Sequence, residues 1–202
     1  MARNRLCVVR VLAGSVAVLV IATSMAYADQ TEREQAASEV AEAFLGELGE
    51  AVTREMTKGG PTEVIKVYAK LAQDITGRLS REHGWRVTRV GTRVRNPLLG
   101  MPDAWEQKVL AEFAERAAKG EAFADMTHNE VVTEPGGQYF RFMKPIAIQP
   151  KCLFCHGSSD QIPESIRSVL RTQYPFDAAT GYKAGELHGA VSIKQPLGSR
   201  NK

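Results

Sequence analysis

The stretch Cys152-Leu153-Phe154-Cys155-His156 constrains this chain more than any other, because whatever fold surrounds it must serve two thiols and an adjoining imidazole. Cys-x-x-Cys-His is the attachment signature of c-type haem, in which the thiols add to two vinyl groups and the imidazole is set against the iron. The same pair could instead hold zinc, work as a redox dithiol or form a structural disulfide. A structural zinc wants four Cys or His ligands, whereas His83, His128 and His188 are scattered singly. A thioredoxin-type dithiol sits at a helix start in a parallel-sheet fold, and here the pair follows an expected antiparallel hairpin. Neither a dithiol nor a disulfide requires His156, so covalent haem c is the leading expectation, with Cys152 and Cys155 as attachment points and His156 as an iron ligand.

The start of the chain bears on this chemistry. Arg3, Arg5 and Arg10 precede an uncharged apolar run from Val11 to Ala22, and Ala26-Tyr27-Ala28 offers a small-x-small cleavage site. That pattern is an export signal over residues 1–28, with residues 29–202 as one domain starting at Asp29 and located in the periplasm. The alternative is an uncleaved anchor facing the periplasm, although a spanning helix wants about 20 strongly apolar residues and this run ends in Thr23 and Ser24. Cys7 departs with the signal. So do three of the 26 Lys and Arg and none of the 23 Asp and Glu, which leaves the mature chain electrically balanced. A balanced chain has no basic stripe for nucleic acid, whose binding relies on clustered cations, and no membrane insertion is expected after cleavage.

Periodicity gives the elements. Val40, Phe44, Leu48, Val52 and Met56 recur every fourth residue across an amphipathic helix over 30–57, closed at Gly59-Gly60. A second helix starts at Pro61 and runs to about Leu79, with Val64, Tyr68, Leu71 and Ile75 on one face, so Tyr68 points inward. Strand-like alternation covers Trp85 to Val94, and Asn96-Pro97 closes it. Asp103 caps a third helix from Ala104 to about Lys119. Residues 122–133 and 138–149 form a hairpin turning at Pro135-Gly136-Gly137, a short helix spans Pro163 to Thr172, and a last strand runs from Leu187 to Gln195. The fold class is therefore α+β.

Several stretches then carry a resemblance: Arg95-Asn96-Pro97, Pro102 to Glu106, Tyr139-Phe140-Arg141 with Lys144-Pro145-Ile146, Cys152 to Gly157, Tyr174 to Tyr182, and Gly189 to Ser192. With them the chain, over roughly residues 35–197, resembles the single-haem, PAS-like c-type domain of periplasmic proteins and extracytoplasmic signalling parts. The resemblance implies a PAS-like antiparallel sheet with flanking helices and a long N-terminal helix. It also implies one covalently bound haem c, with His156 on one side of the iron. Relatives often carry a cysteine in the segment matching Val64 to Tyr68, where it can be the second axial ligand. This chain has Tyr68 there, which makes Tyr68 a candidate for the second axial side and excludes a His/Cys-ligated iron in the mature protein.

Arg95 and Arg141 could pair with haem propionates through charge-assisted bonds. Trp105 and Phe113 read as core, and Asp177 as the fixer of a turn. A sensor or signalling module, responding to iron redox state or a small gas ligand, is the first functional expectation. A periplasmic electron-transfer cytochrome acting with a redox partner protein is the second. A haem enzyme is the weakest, because it needs distal acid–base groups beside open iron and the sequence displays no recognisable pair.

Overall fold

The computed structural model describes residues 12–198, with side chains from Asp29 onward. The expected signal, residues 1–28, therefore lies outside the described side chains. The chain divides into two compact units, residues 1–36 and 37–202. Within the first, the described part is helical and carries an Arg33–Asp29 ion pair at 3.0 Å. Among the described residues no helix is long and apolar enough to cross a membrane.

The first helical element, α1, is Leu12–His83. The sequence predicts two helices parted at Gly59-Gly60, and the break occurs at Gly60 alone, whose φ of 70° and ψ of −169° are non-helical. Pro61 restarts the helix at once, at a position where its missing N–H costs nothing. The glycine pair thus bends the path without ending the element.

The remaining elements are β1 (Arg86–Gly91), α2 (Pro97–Gly100), α3 (Ala104–Ala118), β2 (His128–Glu134), β3 (Gly137–Ala147), α4 (Leu153–His156), α5 (Glu164–Gln173) and β4 (Leu187–Leu197). The architecture is α+β, as the sequence predicts: a four-stranded antiparallel sheet in the order β1-β4-β3-β2, flanked by helices. The strand foreseen from residue 122 begins later, because Phe123–Asp125 tightens into a 3-10 turn. Residues 97–100, just past the expected end of the first strand at Asn96-Pro97, form α2, capped by Asn96 accepting from the Leu98 N–H.

Alternation along the strands divides the core between two faces of the sheet. Phe140, Phe142, Val191, Ile193 and Val87 pack with Ala37, Val40, Ala41, Phe44 and Leu48 of α1. On the opposite face Met143, Ala190 and Val90 pack with Val109, Leu110 and Phe113 of α3. Asp103 caps α3 with a full capping box: its carboxylate accepts from the Glu106 N–H, and Glu106 reaches back to the Asp103 N–H. Gly189 sits where β4 meets β1 so closely that a Cβ would run into the Val90 carbonyl oxygen.

Candidate functional site

Cys152 closes a 3-10 turn, Pro150–Cys152, and Cys155 and His156 lie on the helical turn α4 that follows. The Gly157 N–H donates to the Leu153 carbonyl at 2.9 Å and closes the turn that carries the motif, and the chain leaves helical geometry after His156. Both cysteines are free thiols and partly buried. Cys152 packs against the Ile148, Ala179 and Tyr182 cluster, and Cys155 against Ile65, Ile162, Ile166 and Leu170. Burial pushes the Cys155 thiol up from its ordinary pKa, against the pull of Arg95.

His156 lines a cavity of about 220 Å³ bounded by α1, β1, α2 and the 174–179 loop. The two sulfurs do not line it, but Ala179 and Tyr174, which pack onto the same clusters as the cysteines, do. The ring of His156 is held at one nitrogen: Nδ1 lies 2.7 Å from the Ala179 carbonyl oxygen. A carbonyl only accepts, so Nδ1 carries the proton and the Nε2 lone pair of the neutral ring is free. Burial first, then the Arg95 charge, lower the His156 pKa to about 3, which keeps the ring neutral and able to ligate at physiological pH.

Ala179 is itself fixed from behind. Asp177 Oδ1 accepts from the Ala179 N–H at 2.8 Å, and Oδ2 accepts from Arg95 Nε at 2.9 Å, while Arg95 Nη2 donates to the Cys155 carbonyl at 2.5 Å. The turn role expected of Asp177 is therefore also a site role, since the turn presents the carbonyl that orients His156. Arg95 lies at the cavity as expected, but with a carboxylate partner already in place.

Tyr68, from the half of α1 beyond Gly60, lines the same cavity, and its hydroxyl accepts from Arg89 Nη1 at 3.0 Å. The other expected arginine does not reach it. Arg141 points to the α3 face, is 3% exposed, and is held by Asp103 at 2.7 Å, Glu106 at 3.2 Å and Glu134 at 3.4 Å, so it is a core ion pair and not a ligand-facing group. Trp105 stacks under Arg141 and Phe113 is fully buried, and neither lines the cavity.

Sequence reasoning treated His188 as one of three scattered histidines and passed over Arg89. Strand alternation would send His188 to the α3 face with Ala190 and Ser192. A β-bulge intervenes where Ile146 pairs with Gly189 and Ala147 with Leu187, leaving His188 as the extra residue and re-aiming it. His188 is buried against His156, ring centroids 4.5 Å apart, a contact with no room for an atom between. Arg89 Nη2 donates to its Nδ1 at 2.6 Å, and burial with the Arg89 charge lowers its pKa to about 2. Of the other histidines, His128 pairs with Glu112 at 2.9 Å and His83 stacks on Trp85.

A family model described as Tll0287-like matches residues 11–196. The chain belongs to the Tll0287-like family. The crystal structure of the cyanobacterial heme-protein Tll0287 is similar to it, with 19% sequence identity and a TM-score of 0.64, covering 84% of this chain and 98% of that one. At that identity the likeness is one of fold. Among curated proteins, none matches.

Proposed function

We propose that this Tll0287-like protein is an exported haem c protein of the single-haem, PAS-like kind, attached through Cys152 and Cys155 with His156 as an iron ligand. One observation carries the reading: the motif imidazole lines a cavity as a neutral ring, protonated on Nδ1 against Ala179 and free at Nε2. The donor set fits the group. Two free thiols lie on the same turn as that imidazole, and each S–H can add across one vinyl double bond, sulfur to one carbon and hydrogen to the other, with no oxidant required.

When bound, haem iron would supply a one-electron couple and a position for a small ligand. This chain's residues would do the rest. Ala179, Asp177 and Arg95 orient His156, and Tyr68, which lines the same cavity, would be the candidate for a second iron ligand. Since Tyr68 belongs to α1, a change at the iron would act on the long helix, which favours a redox or small-gas sensor with a partner protein as its output. The second reading, a periplasmic electron-transfer cytochrome, draws on Phe154, which lies between the two thiols and is 54% exposed, so the motif's outer edge meets solvent.

The test is expression in a periplasm with haem-maturation machinery. Haem should survive denaturing extraction, and Cys152→Ala with Cys155→Ala should abolish this; haem lost from the parent protein to acidic acetone would overturn covalent attachment. Intact mass should start at Asp29. CO binding by the reduced protein supports gas sensing, whereas a low-spin ferrous form that refuses CO and reduces rapidly supports electron carriage.

A further inference from the structure

Three arginines line the cavity, Arg89, Arg93 and Arg95, and no acidic side chain does. Two of them have carboxylate partners at their far ends. Arg95 is paired with Asp177 at 2.9 Å, and Arg93 with Glu186 at 3.1 Å while also donating to the Thr180 carbonyl at 2.8 Å. Arg89 differs. Its guanidinium donates to the Tyr68 hydroxyl and to the Nδ1 of His188, both neutral acceptors, and among the described residues it forms no ion pair. A guanidinium taken partly out of water costs free energy unless an anion or a full set of acceptors answers it.

His188 cannot answer as an anion, because imidazole has no anionic form near neutral pH. The β-bulge that re-aims His188 and the close approach at Gly189 both hold this corner rigid, so the guanidinium is aimed and not merely tethered. Its planar fork can meet the two oxygens of a planar carboxylate with two parallel N–H···O bonds.

We infer that Arg89 is a carboxylate-binding residue of the cavity, with Tyr68 and His188 holding its fork open toward the ligand. The carboxylate has two sources: a propionate of bound haem, in which case the inference rests on the haem reading above, or a free small carboxylate entering the cavity. The shared chemistry is one planar anion opposite one guanidinium.

The test uses the mature chain as purified, with haem content read first from its mass. A chain without covalent haem counts against the functional reading, and the site is then tested by formate binding alone. In the haem-loaded protein, a propionate partner predicts that Arg89→Gln shifts the ferric/ferrous ratio about tenfold toward ferric at fixed potential, equivalent to about 59 mV for one electron, because a cation near the iron favours its reduced state. Arg89→Lys keeps the charge and should recover most of that shift, which separates charge loss from misfolding. A free carboxylate predicts instead that formate binds the parent protein saturably and that Arg89→Gln loses this while leaving the potential unchanged. Either result supports the site. An unchanged potential in Arg89→Gln together with no Arg89-dependent formate binding overturns it.

Discussion

Two arginines on opposite faces of one sheet meet opposite electrostatic conditions. Arg141, on the α3 side, is 3% exposed and surrounded by Asp103, Glu106 and Glu134, with Glu106 also accepting from Ser192 Oγ at 2.7 Å and Trp105 under the guanidinium. Arg89, on the α1 side, faces a cavity and among the described residues has a phenol and an imidazole as its side-chain hydrogen-bond partners. The first region answers its own charges and is a piece of core. The second leaves a cation, a free imidazole nitrogen and open space together, which is what a ligand site looks like before its ligand is counted.

The largest effect should come from breaking the closed region. Glu106 is 2% exposed, and Glu106→Ala strands Arg141 and Ser192 in the core. Removing one member of a buried ion pair costs about 3 kcal/mol or more, read as a lower urea midpoint. A loss below about 1 kcal/mol would show that the Arg141 cluster is not closed in the sense argued above.

Acid should separate the regions next. Burial and the neighbouring arginines lower the His156 and His188 pKa values to about 3 and about 2, below the ordinary 6.5, and the Cys152→Ala, Cys155→Ala chain allows this to be tested without covalent haem. The unfolded chain then binds more protons, so stability is full above about pH 6.5 and falls as pH drops below it. At pH 5 each ring should cost about 2 kcal/mol, at 1.36 kcal/mol per pKa unit. In the closed region burial pushes the Asp103 carboxyl up, but bonds from Arg141 and the Glu106 N–H outweigh it and hold it below 3.8. Its contribution is therefore present above about pH 4 and lost only below. A chemical-denaturation series from pH 7 to 4.5 should follow the histidines alone, and a flat series would mean the cavity rings are not buried neutral.

Asp103→Ala removes the cap of α3 and one partner of Arg141. Caps are worth about 1 kcal/mol, so the loss should be about a third of that for Glu106→Ala. A loss equal to that of Glu106→Ala would mean the exposed carboxylate carries the cluster.

In the closed region the cap of α3 was legible in the sequence, while Arg141, expected at a propionate, was not legible as a core ion pair. Asp103 three residues before Glu106 announces a capping box, and α3 ends one residue from where Gly120 places its stop. The Cys-x-x-Cys-His turn and the inward Tyr68 were legible too, because each rests on local spacing. Arg89 and His188 were not. They are 99 residues apart in sequence and meet only because the last strand pairs between β1 and β3, and the bulge that turns His188 breaks the period-two rule that would have aimed it elsewhere. Long-range register and an irregularity in it leave no trace in local pattern.

The smallest effect is the most telling for the comparison. Arg89→Leu in the haem-free chain gives up two hydrogen bonds to neutral groups, each worth about 1 kcal/mol net, and leaves the Tyr68 hydroxyl and His188 Nδ1 facing a solvent-accessible cavity, where water can replace the guanidinium. It also removes the desolvation cost of a cation with no counter-anion. These contributions oppose one another, so stability should stay within about 0.5 kcal/mol of the haem-free parent or rise above it. Arg141→Leu has no such offset, since it leaves the buried Glu106 carboxylate without its cation, and should fall by about 3 kcal/mol. Urea midpoints of the two leucine variants measured side by side settle the sign. Equal losses would mean that Arg89 is as fully answered by its neutral neighbours as Arg141 is by its acids, and the cavity corner would then be core after all.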